Sequence, residues 1–215
     1  MQFDLERRAR PVIKWAGGKS ALLEQIIPIL PAQFKGFIEP FLGGAAAFLS
    51  VSQPERATLG ELNPELYNLY TVVRDQCSKL MTRLDEFQSQ YSEDFYYHLR
   101  EQDAGDQVYL AARTVFLNKT CFNGLYRQNS KGKFNVPFGH RIQCPSLYSP
   151  ENLYAVAKRF SHAVLLNLDF EKVIERAGMN DLVYCDPPYE PLSKSSSFNS
   201  YTQFGFSQSE QVRLK

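Results

Sequence analysis

A short apolar segment that runs into a glycine turn and then into an alanine-rich segment is the strongest constraint on the fold of this chain. Gly36-Phe-Ile-Glu39 has the length and composition of a buried β-strand. Pro40-Phe-Leu-Gly-Gly44 follows it, and Ala45–Ser50 then favours a helix. A strand, a tight turn and a helix in this order are typical of a parallel sheet flanked by helices.

The same alternation recurs on both sides of the chain's middle. Ala57-Thr-Leu-Gly60 is a second apolar segment of strand length. Near the other end, residues 163–167 and 181–185 have strand character, and residues 170–176 between them have helical character. Strands that alternate with helices predict an α/β fold with a mostly parallel sheet.

The middle of the chain breaks this alternation. Residues 120–146 are rich in Asn, Gly, Pro and basic residues, which indicates loops or a hairpin. We therefore predict an inserted, mainly helical domain (63–159) within a discontinuous domain made of residues 1–62 and 160–215. Helices are predicted for residues 64–88, 92–101, 106–118 and 151–160, and for an earlier segment, 20–27, with Ser20 as its N-cap.

The charge is unevenly distributed along the chain. The whole chain carries a formal net charge of +1, but the stretch between Asp106 and Glu151 has no acidic residue and carries +6, which leaves −5 for the rest. One basic segment in an otherwise acidic chain indicates a surface that binds a polyanion, although a solvated basic face would give the same pattern. The six basic residues are Arg113, Lys119, Arg127, Lys131, Lys133 and Arg141.

Several classes of protein do not fit this sequence. Residues 1–10 are charged and lack the apolar core of a signal peptide, and no stretch approaches the roughly 20 apolar residues of a membrane span. The four cysteines have no paired spacing, and no Cys/His set has the spacing of metal ligands. We therefore expect a cytoplasmic protein with reduced thiols, without a metal and without a membrane partner.

The turn after the first strand and the residue after the second strand indicate a nucleoside cofactor. Gly43 and Gly44 would let the backbone approach a ligand closely at the carboxyl end of the strand. Glu61 follows the second strand, where a carboxylate commonly accepts hydrogen bonds from ribose hydroxyls. The two features together favour a nucleoside cofactor over a merely tight turn.

Asp186-Pro187-Pro188-Tyr189, which follows the last predicted strand, is the most specific motif in the chain. A carboxylate and a proline carbonyl can both accept the hydrogens of an adenine amino group, which favours a tetrahedral nitrogen able to attack an in-line methyl. Proline holds the carbonyls rigidly because its φ is fixed, and Tyr189 can stack on the face of a base. The competing interpretation is a structural Pro-Pro turn with Asp186 as a cap.

These motifs occur together with two others in a fixed order. Lys14-Trp-Ala-Gly-Gly-Lys19 comes first and Glu39–Gly44 second, and Asn123–Arg127 with Phe134–Gly139 precedes Asp186–Tyr189. In this order the chain resembles the Dam-type (D12 class) DNA adenine-N6 methyltransferases over nearly its whole length. The resemblance implies a Rossmann-like S-adenosylmethionine-dependent methyltransferase sheet, an inserted target-recognition domain with a hairpin, double-stranded DNA as partner, and a bacterial-type, nucleoid-associated protein.

The resemblance also implies roles for individual residues. The catalytic motif would consist of Asp186, Pro187, Pro188 and Tyr189. S-adenosylmethionine would lie against Trp15, Lys19, Phe41, Gly43, Gly44, Glu61, Asp169, Phe170 and Asp186. DNA would contact Lys14, Phe122, Asn123, Leu125, Arg127 and Pro137. Arg127 resembles the residue that binds guanine in GATC, which makes GATC the expected target.

Two features depart from the family pattern. Ala45 stands where relatives often have a third glycine, which puts the affinity for the cofactor in question. Relatives also continue well past the catalytic motif, whereas this chain ends at Lys215, at the start of a predicted helix. We therefore expect the C-terminal strands of the sheet to be missing and the last strand to expose apolar surface. A separate C-terminal segment that completes the sheet would then be a further partner.

Three interpretations of the activity are open at this point. The leading one is site-specific methylation of adenine in duplex DNA, and its rival is a catalytically impaired DNA-binding remnant or fragment of such an enzyme. The third retains methyl transfer but acts on RNA adenine or on N4 of cytosine. Asp186 and the hairpin favour DNA adenine, because relatives that act on cytosine more often begin this motif with Ser. A restriction–modification enzyme and a solitary methyltransferase fit equally well.

Overall fold

A parallel sheet forms the centre of the molecule. The computed structural model describes residues 9–15, 17–129, 131–188 and 206–215. Within these ranges the sheet has four strands in the spatial order β3-β2-β1-β4, and the predicted α/β class is confirmed. The strands are β1 (Gly36–Glu39), β2 (Arg56–Gly60), β3 (Ala163–Leu166) and β4 (Leu182–Val183).

The register of the sheet brings the ends of the strands together. Phe37 of β1 pairs with Ala57 of β2 on one side and with Leu182 of β4 on the other, and Ala57 pairs with Ala163 of β3. Because all pairs are parallel, the residues that follow each strand meet at one edge of the sheet. β1 is buried along its whole length, as expected for a strand with neighbours on both sides.

β4 is the shortest strand. It covers only two residues of the predicted segment 181–185, although the N–H of Tyr184 still donates to the carbonyl of Ile38 at 2.8 Å. Within the described ranges, β4 pairs with β1 alone. The expectation that C-terminal strands are missing from the sheet stays a prediction.

Eight α-helices lie in the described parts of the chain. Six of them, α2 to α7, begin and end within two residues of their predicted bounds. None of the described helices is long and apolar enough to cross a membrane. The helices are α1 (Leu23–Ile26), α2 (Ala46–Ser50), α3 (Pro64–Ser89), α4 (Glu93–Glu101), α5 (Gln107–Thr120), α6 (Pro150–Phe160), α7 (Phe170–Ile174) and α8 (Gln208–Leu214).

Polar caps explain where the long helices start. The side chains of Asn63, Ser92, Asp106 and Ser149 accept hydrogen bonds from backbone N–H groups in the first turns of α3, α4, α5 and α6. α3 and α6 also begin at a proline, which has no N–H to leave unpaired. The helix predicted from Ser20 is different. Ser20 lies inside a 3-10 turn and α1 starts three residues later, so its prediction as an N-cap is wrong.

One continuous hydrophobic core joins the sheet to the helical middle of the chain. Tyr70 of α3 stacks on Phe160 of α6 with ring centres 5.0 Å apart, and Phe48 of α2 meets Phe160 edge to face at 5.2 Å. All three rings are fully buried. The division into a discontinuous catalytic domain and a recognition domain (63–159) stays a prediction.

An irregular hairpin connects α5 to α6, in the part of the chain whose composition predicted loops or a hairpin. Its arms are joined by antiparallel bridges between Cys121 and Phe138 and between Gln128 and Phe134. The N–H of Asn135 donates to the carbonyl of Arg127 at 3.0 Å, which adds a link between the arms. We call residues 121–139 the recognition hairpin.

The guanidinium of Arg159 ties α6 to the end of α2. It donates to the backbone carbonyls of Phe48 at 2.8 Å, Val51 at 2.6 Å and Ser52 at 3.2 Å. Its carbon also lies 4.9 Å from the centre of the Phe48 ring. Carbonyls at the end of a helix lack partners within the helix, and a cation there is favourable.

We expect Arg159→Met to lower the free energy of unfolding by about 2–3 kcal/mol, because several carbonyls lose hydrogen bonds to a charged donor. Urea denaturation followed by circular dichroism measures the change. The matched control is Lys158→Met, which removes a neighbouring exposed charge and should change stability by less than about 0.5 kcal/mol. Equal effects of the two substitutions would contradict the role of Arg159.

Candidate active site

A cleft opens at the carboxyl edge of the sheet, where the residues after β1, β2 and β4 meet. It contains about 1080 Å³ of empty space, including the part that is open to solvent. The structure brings most of the predicted cofactor and catalytic residues to this one cleft, while Tyr189 lies outside the described residues. Those that line it are Trp15, Lys19, Phe41, Gly43, Gly44, Glu61, Asp169, Phe170, Asp186, Pro187 and Pro188.

The glycine turn after β1 is held on both sides of Gly43. The N–H of Gly43 donates to the carboxylate of Glu61 at 2.8 Å, and its carbonyl accepts from the hydroxyl of Tyr70 at 2.7 Å. Gly43 has a φ of +49°, and a side chain on it would lie 2.9 Å from the indole of Trp15. Glycine is needed here both for the left-handed backbone and for the close approach of Trp15.

Glu61 uses both carboxylate oxygens to organise the site. The second oxygen accepts from the N–H of Asn63 at 2.8 Å, and the residue is only 7% exposed. Burial raises the pKa of Glu61 to about 7, although the two backbone hydrogen bonds act to lower it. An ionised carboxylate has about four acceptor positions, so positions are left for ribose hydroxyls.

Glu39 is a second buried carboxyl group at this edge, and it had no predicted role. It is 2% exposed and accepts from the N–H of Phe48 in the first turn of α2 at 3.1 Å. Burial holds the pKa of Glu39 well above its ordinary value, and the charges of Asp186 and Glu61 raise it further. The signal was present in the sequence, because Glu39 ends β1 much as Glu61 follows β2.

An ion pair joins the N-terminal segment to the catalytic motif. The ammonium of Lys19 lies 2.6 Å from both carboxylate oxygens of Asp186 and donates to the carbonyl of Gly17 at 2.9 Å. Only 14% of the Lys19 side chain and 24% of the Asp186 side chain are exposed. Lys19 thereby holds Asp186 at the cleft and offsets its negative charge close to the carboxyl group of Glu39.

Three aromatic rings form one wall of the cleft. Phe41, Phe170 and Phe206 pack with ring centres 5.3 to 5.9 Å apart. Arg213 of α8 lies 4.8 Å from the centre of the Phe170 ring and donates to Asp169 at 2.8 Å. Phe206 and Arg213 were not predicted, because they follow the catalytic motif without a recognisable spacing. A flat apolar surface of this kind suits a nucleobase.

Ala45, the departure from the family pattern, does not narrow the cleft. It is fully buried, and the cleft is lined by its neighbours Gly44 and Ala46. The φ of Ala45 is +60°, in the left-handed region that favours glycine, which costs about 1–2 kcal/mol for alanine. The substitution therefore affects the backbone of the turn rather than the space inside the cleft.

The predicted DNA-contacting residues of the recognition hairpin lie mostly at the surface. Phe122 and Leu125 are 51% and 42% exposed, although both are apolar. Asn123 is exposed with a φ of +56°. Pro137 is also exposed, and its carbonyl accepts from the N–H of Phe122 at 2.9 Å, which joins the two arms. Exposed apolar side chains on an irregular segment are suited to contact with a partner.

Lys14 and Arg127 are each oriented by an asparagine. The side chain of Asn118 pairs with both the N–H and the carbonyl of Lys14, at 2.8 and 2.9 Å. Lys14 also packs so closely on Gly124 that a side chain there would lie 2.5 Å from it. The guanidinium of Arg127 donates to the side-chain oxygen of Asn135 at 2.8 Å. Lys14 thus packs against the recognition hairpin, and Arg127 is fixed within it.

Part of the predicted basic surface lies inside the protein. Arg113 is 3% exposed, and its guanidinium pairs with Glu65 at 3.2 Å and donates to two backbone carbonyls. Lys133 pairs with Asp103 at 3.0 Å. Of the six basic residues counted in this segment, Arg113 therefore adds nothing to a surface that could bind a polyanion, and it stabilises the interior instead.

The cleft combines flat apolar walls with a buried carboxylate and a cation. These groups can hold a nucleoside whose tail carries charge, and Asp186 can accept a hydrogen bond from an amino group beside it. Among the residues that the structure describes, no group of three or more His, Cys, Asp or Glu side chains is arranged to hold a metal ion.

Known proteins resemble this chain over almost all of its length. Residues 15–215 match the family model of the D12 class N6 adenine-specific DNA methyltransferases. Type II methyltransferase M.MjaIII of Methanocaldococcus jannaschii is 40% identical over 225 residues, which cover 95% of this chain and 78% of that protein. The DNA adenine methylase of Haemophilus influenzae is 37% identical over 211 residues, which cover 93% and 71%.

A third relative is much longer than this chain. The DNA N-6-adenine-methyltransferase of Escherichia phage P1 is 38% identical over 210 residues, which cover 95% of this chain but 27% of that protein. The match therefore concerns the part that all these relatives share, and in this chain that part contains the glycine turn, the cleft and the Asp-Pro-Pro motif. The chain belongs to the D12 class of N6 adenine-specific DNA methyltransferases.

Proposed function

We propose that this chain transfers the methyl group of S-adenosylmethionine to N6 of adenine in duplex DNA, within the sequence GATC. The observation that carries the proposal is the convergence of Asp186, held by Lys19, with Glu61 and the glycine turn on one cleft. Membership of the D12 class supports adenine in DNA as the acceptor. S-adenosylmethionine as the donor and GATC as the target sequence are proposed in addition to this family assignment.

The cleft offers a group for each part of S-adenosylmethionine. Glu61 would accept hydrogen bonds from the ribose hydroxyls, and Lys19 would bind the carboxylate. Phe41 and Phe170 would lie against the adenine, with Asp169 beside it. Trp15, Gly43 and Gly44 would form the floor next to the ribose and the tail. When bound, the cofactor supplies an activated methyl group on a positively charged sulfur.

The catalytic motif would act on the amino group of the target adenine. Its lone pair is delocalised into the ring, so the nitrogen is a weak nucleophile. The Asp186 carboxylate and the Pro187 carbonyl would accept its two hydrogens. The fixed φ angles of Pro187 and Pro188 restrict the carbonyl, and the ion pair with Lys19 holds the carboxylate. Tyr189 would stack on the base after it leaves the duplex, a step that costs a few kcal/mol.

The recognition hairpin would choose the site on the DNA. Arg127 would bind guanine with two hydrogen bonds, and its contact with Asn135 limits the orientations it can take. Lys14 lies next to the hairpin and would contact the DNA near the target base. The exposed side chains of Phe122, Asn123, Leu125 and Pro137 would read or wedge the base pairs. Contacts from basic residues to phosphates would make the affinity depend on salt.

Binding of S-adenosylhomocysteine, the donor without its methyl group, should strengthen as Glu61 ionises. The ionised form is the stronger acceptor for ribose hydroxyls, and the pKa of Glu61 before binding is about 7. Binding then releases a proton, so the affinity should rise with pH by up to about tenfold per unit below pH 7 and level off above it. Calorimetric titrations at pH values below and above 7 measure this dependence of the affinity on pH. The same slope in Glu61→Gln would assign the titration to another group.

Asp186→Ala should abolish methyl transfer and leave most of the DNA affinity. The carboxylate would contact only the amino group of the flipped-out adenine and no other part of the DNA. We expect turnover with labelled donor to fall by at least about 10³-fold. The control is Asp75→Ala, which removes an exposed carboxylate paired with Arg74 at 2.7 Å and should leave turnover unchanged. Near-normal turnover in Asp186→Ala would refute the role of Asp186. A wild-type chain that binds DNA but transfers no methyl group would instead be a DNA-binding remnant.

A plasmid treated with the protein and donor should resist a nuclease that cuts only unmethylated GATC. Arg127→Ala should weaken specific binding by about 1–3 kcal/mol and reduce the preference for guanine, measured as relative methylation of GATC duplexes and duplexes with the guanine replaced. Lys131→Ala changes an exposed basic residue of the same hairpin and should weaken binding to all of these duplexes alike. Methylation at sequences other than GATC would contradict the proposed target sequence but would still support the proposed methyl transfer.

A further inference from the structure

Tyr126 points into the protein between two residues that are proposed to face DNA. Leu125 is exposed and Arg127 is half-buried, whereas Tyr126 is 3% exposed. Successive side chains of an extended backbone point to opposite sides. The same arm of the recognition hairpin therefore presents Leu125 and Arg127 to the outside and Tyr126 to the interior.

The hydroxyl of Tyr126 uses all of its hydrogen-bonding positions. It donates to the carboxylate of Glu65 at 2.7 Å and accepts from the side-chain amides of Asn63 at 3.0 Å and Gln128 at 2.9 Å. A tyrosine hydroxyl has one donor and two acceptor positions, so no position is left over. Burial, followed by the charge of Glu65, holds the pKa of Tyr126 well above its ordinary value, which keeps the hydroxyl protonated as a donor.

One route from Tyr126 to the cleft runs through hydrogen bonds. Asn63, which donates its side-chain amide to Tyr126, also donates its backbone N–H to the carboxylate of Glu61 at 2.8 Å. The other oxygen of Glu61 accepts from Gly43 at 2.8 Å. Tyr126, Asn63, Glu61 and the glycine turn thus form one continuous chain of hydrogen bonds.

A second route runs through aromatic packing. The ring of Tyr126 lies against the indole of Trp15, with ring centres 4.7 Å apart and planes tilted by 42°. Trp15 also contacts the glycine turn, since side chains built at Gly43 and Gly44 would lie 2.9 and 3.1 Å from it. Trp15 therefore touches both the recognition hairpin and the floor of the cleft.

We propose that Tyr126 is a positioning residue that couples recognition of the DNA site to binding of the cofactor. A change in the hairpin when Leu125 and Arg127 contact the duplex would move Tyr126, and with it Trp15 and the Asn63–Glu61 contact. Coupling of this kind is reciprocal, so a cofactor that orders the cleft also orders the hairpin. The inference rests on the proposed function, because it requires that the chain bind both cofactor and DNA.

The test measures the affinity for S-adenosylhomocysteine without and with a saturating GATC duplex. In the wild type, the duplex should tighten binding by about fivefold or more, the lower end of the usual range for coupled sites. Tyr126→Phe removes the hydroxyl and keeps the ring, so it breaks the hydrogen-bonded route and leaves the contact with Trp15. It should therefore lower this factor below the wild-type value. The matched control is Tyr148→Phe, which removes a hydroxyl that donates to Asp85 at the same distance of 2.7 Å and should keep the wild-type factor.

A second measurement uses the fluorescence of Trp15, the single tryptophan of the chain. Adding the duplex should change the emission of Trp15 in the wild type and in Tyr148→Phe, and should change it less in Tyr126→Phe, where the ring contact remains but the hydroxyl is lost. Gln128→Ala removes one hydrogen bond to the Tyr126 hydroxyl and leaves both rings in place. This milder variant should show an intermediate coupling factor, which keeps the proposal testable if Tyr126→Phe is too unstable to measure.

Three results would overturn the inference. The first is a coupling factor in Tyr126→Phe equal to that of the wild type. The second is a loss of cofactor affinity in Tyr126→Phe that is the same with and without duplex, which would make Tyr126 a purely structural residue. The third is a wild-type factor of one in a chain that methylates DNA. Failure of the proposed function is a distinct result, since the wild-type chain would then bind no duplex or transfer no methyl group.

Discussion

Glu61 connects three parts of the cleft: the glycine turn, the start of α3 and the end of β3. One carboxylate oxygen fixes the glycine turn through Gly43, and the other fixes Asn63 at the start of α3. The backbone of the same residue binds the end of β3, where its N–H donates to Leu166 and its carbonyl accepts from Asn167. These bonds are shielded from water, so the turn keeps its shape before any ligand arrives. The raised pKa of Glu61 is the cost of burying a charge to achieve this.

The N-terminal segment gains its position from contacts with all three functional motifs. Lys14 is attached to the recognition hairpin through Asn118, Trp15 packs on the glycine turn, and Lys19 pairs with Asp186. Irregular backbone needs partners for its polar groups, and Asn118 supplies two of them. This segment thereby places a cation and an indole at the cleft, where the sheet alone offers neither.

The framework of the fold could be predicted because buried strands leave short apolar runs bounded by Gly and Pro, and capped helices begin at recognisable polar residues. β1 and α3 are examples, and the residues that follow the strands were found with them. Arg113 and Tyr126 could not be predicted as interior residues, since only long-range partners such as Glu65 satisfy their polar groups. Phe206 reaches the cleft across a large separation in sequence, for which local patterns carry no information.

The alternation at Leu125, Tyr126 and Arg127 has a consequence for how such a protein could acquire a new target sequence. Replacement of Leu125 alters mainly the exposed surface, and replacement of Arg127 also removes its hydrogen bonds to Asn135. Insertion or deletion of one residue would instead reverse the alternation of side chains along this arm. Tyr126 would then face the solvent, and a residue proposed to contact the DNA would face the interior. Recognition in this hairpin can therefore diverge by exchange of side chains, while its length is kept constant by the tyrosine behind it.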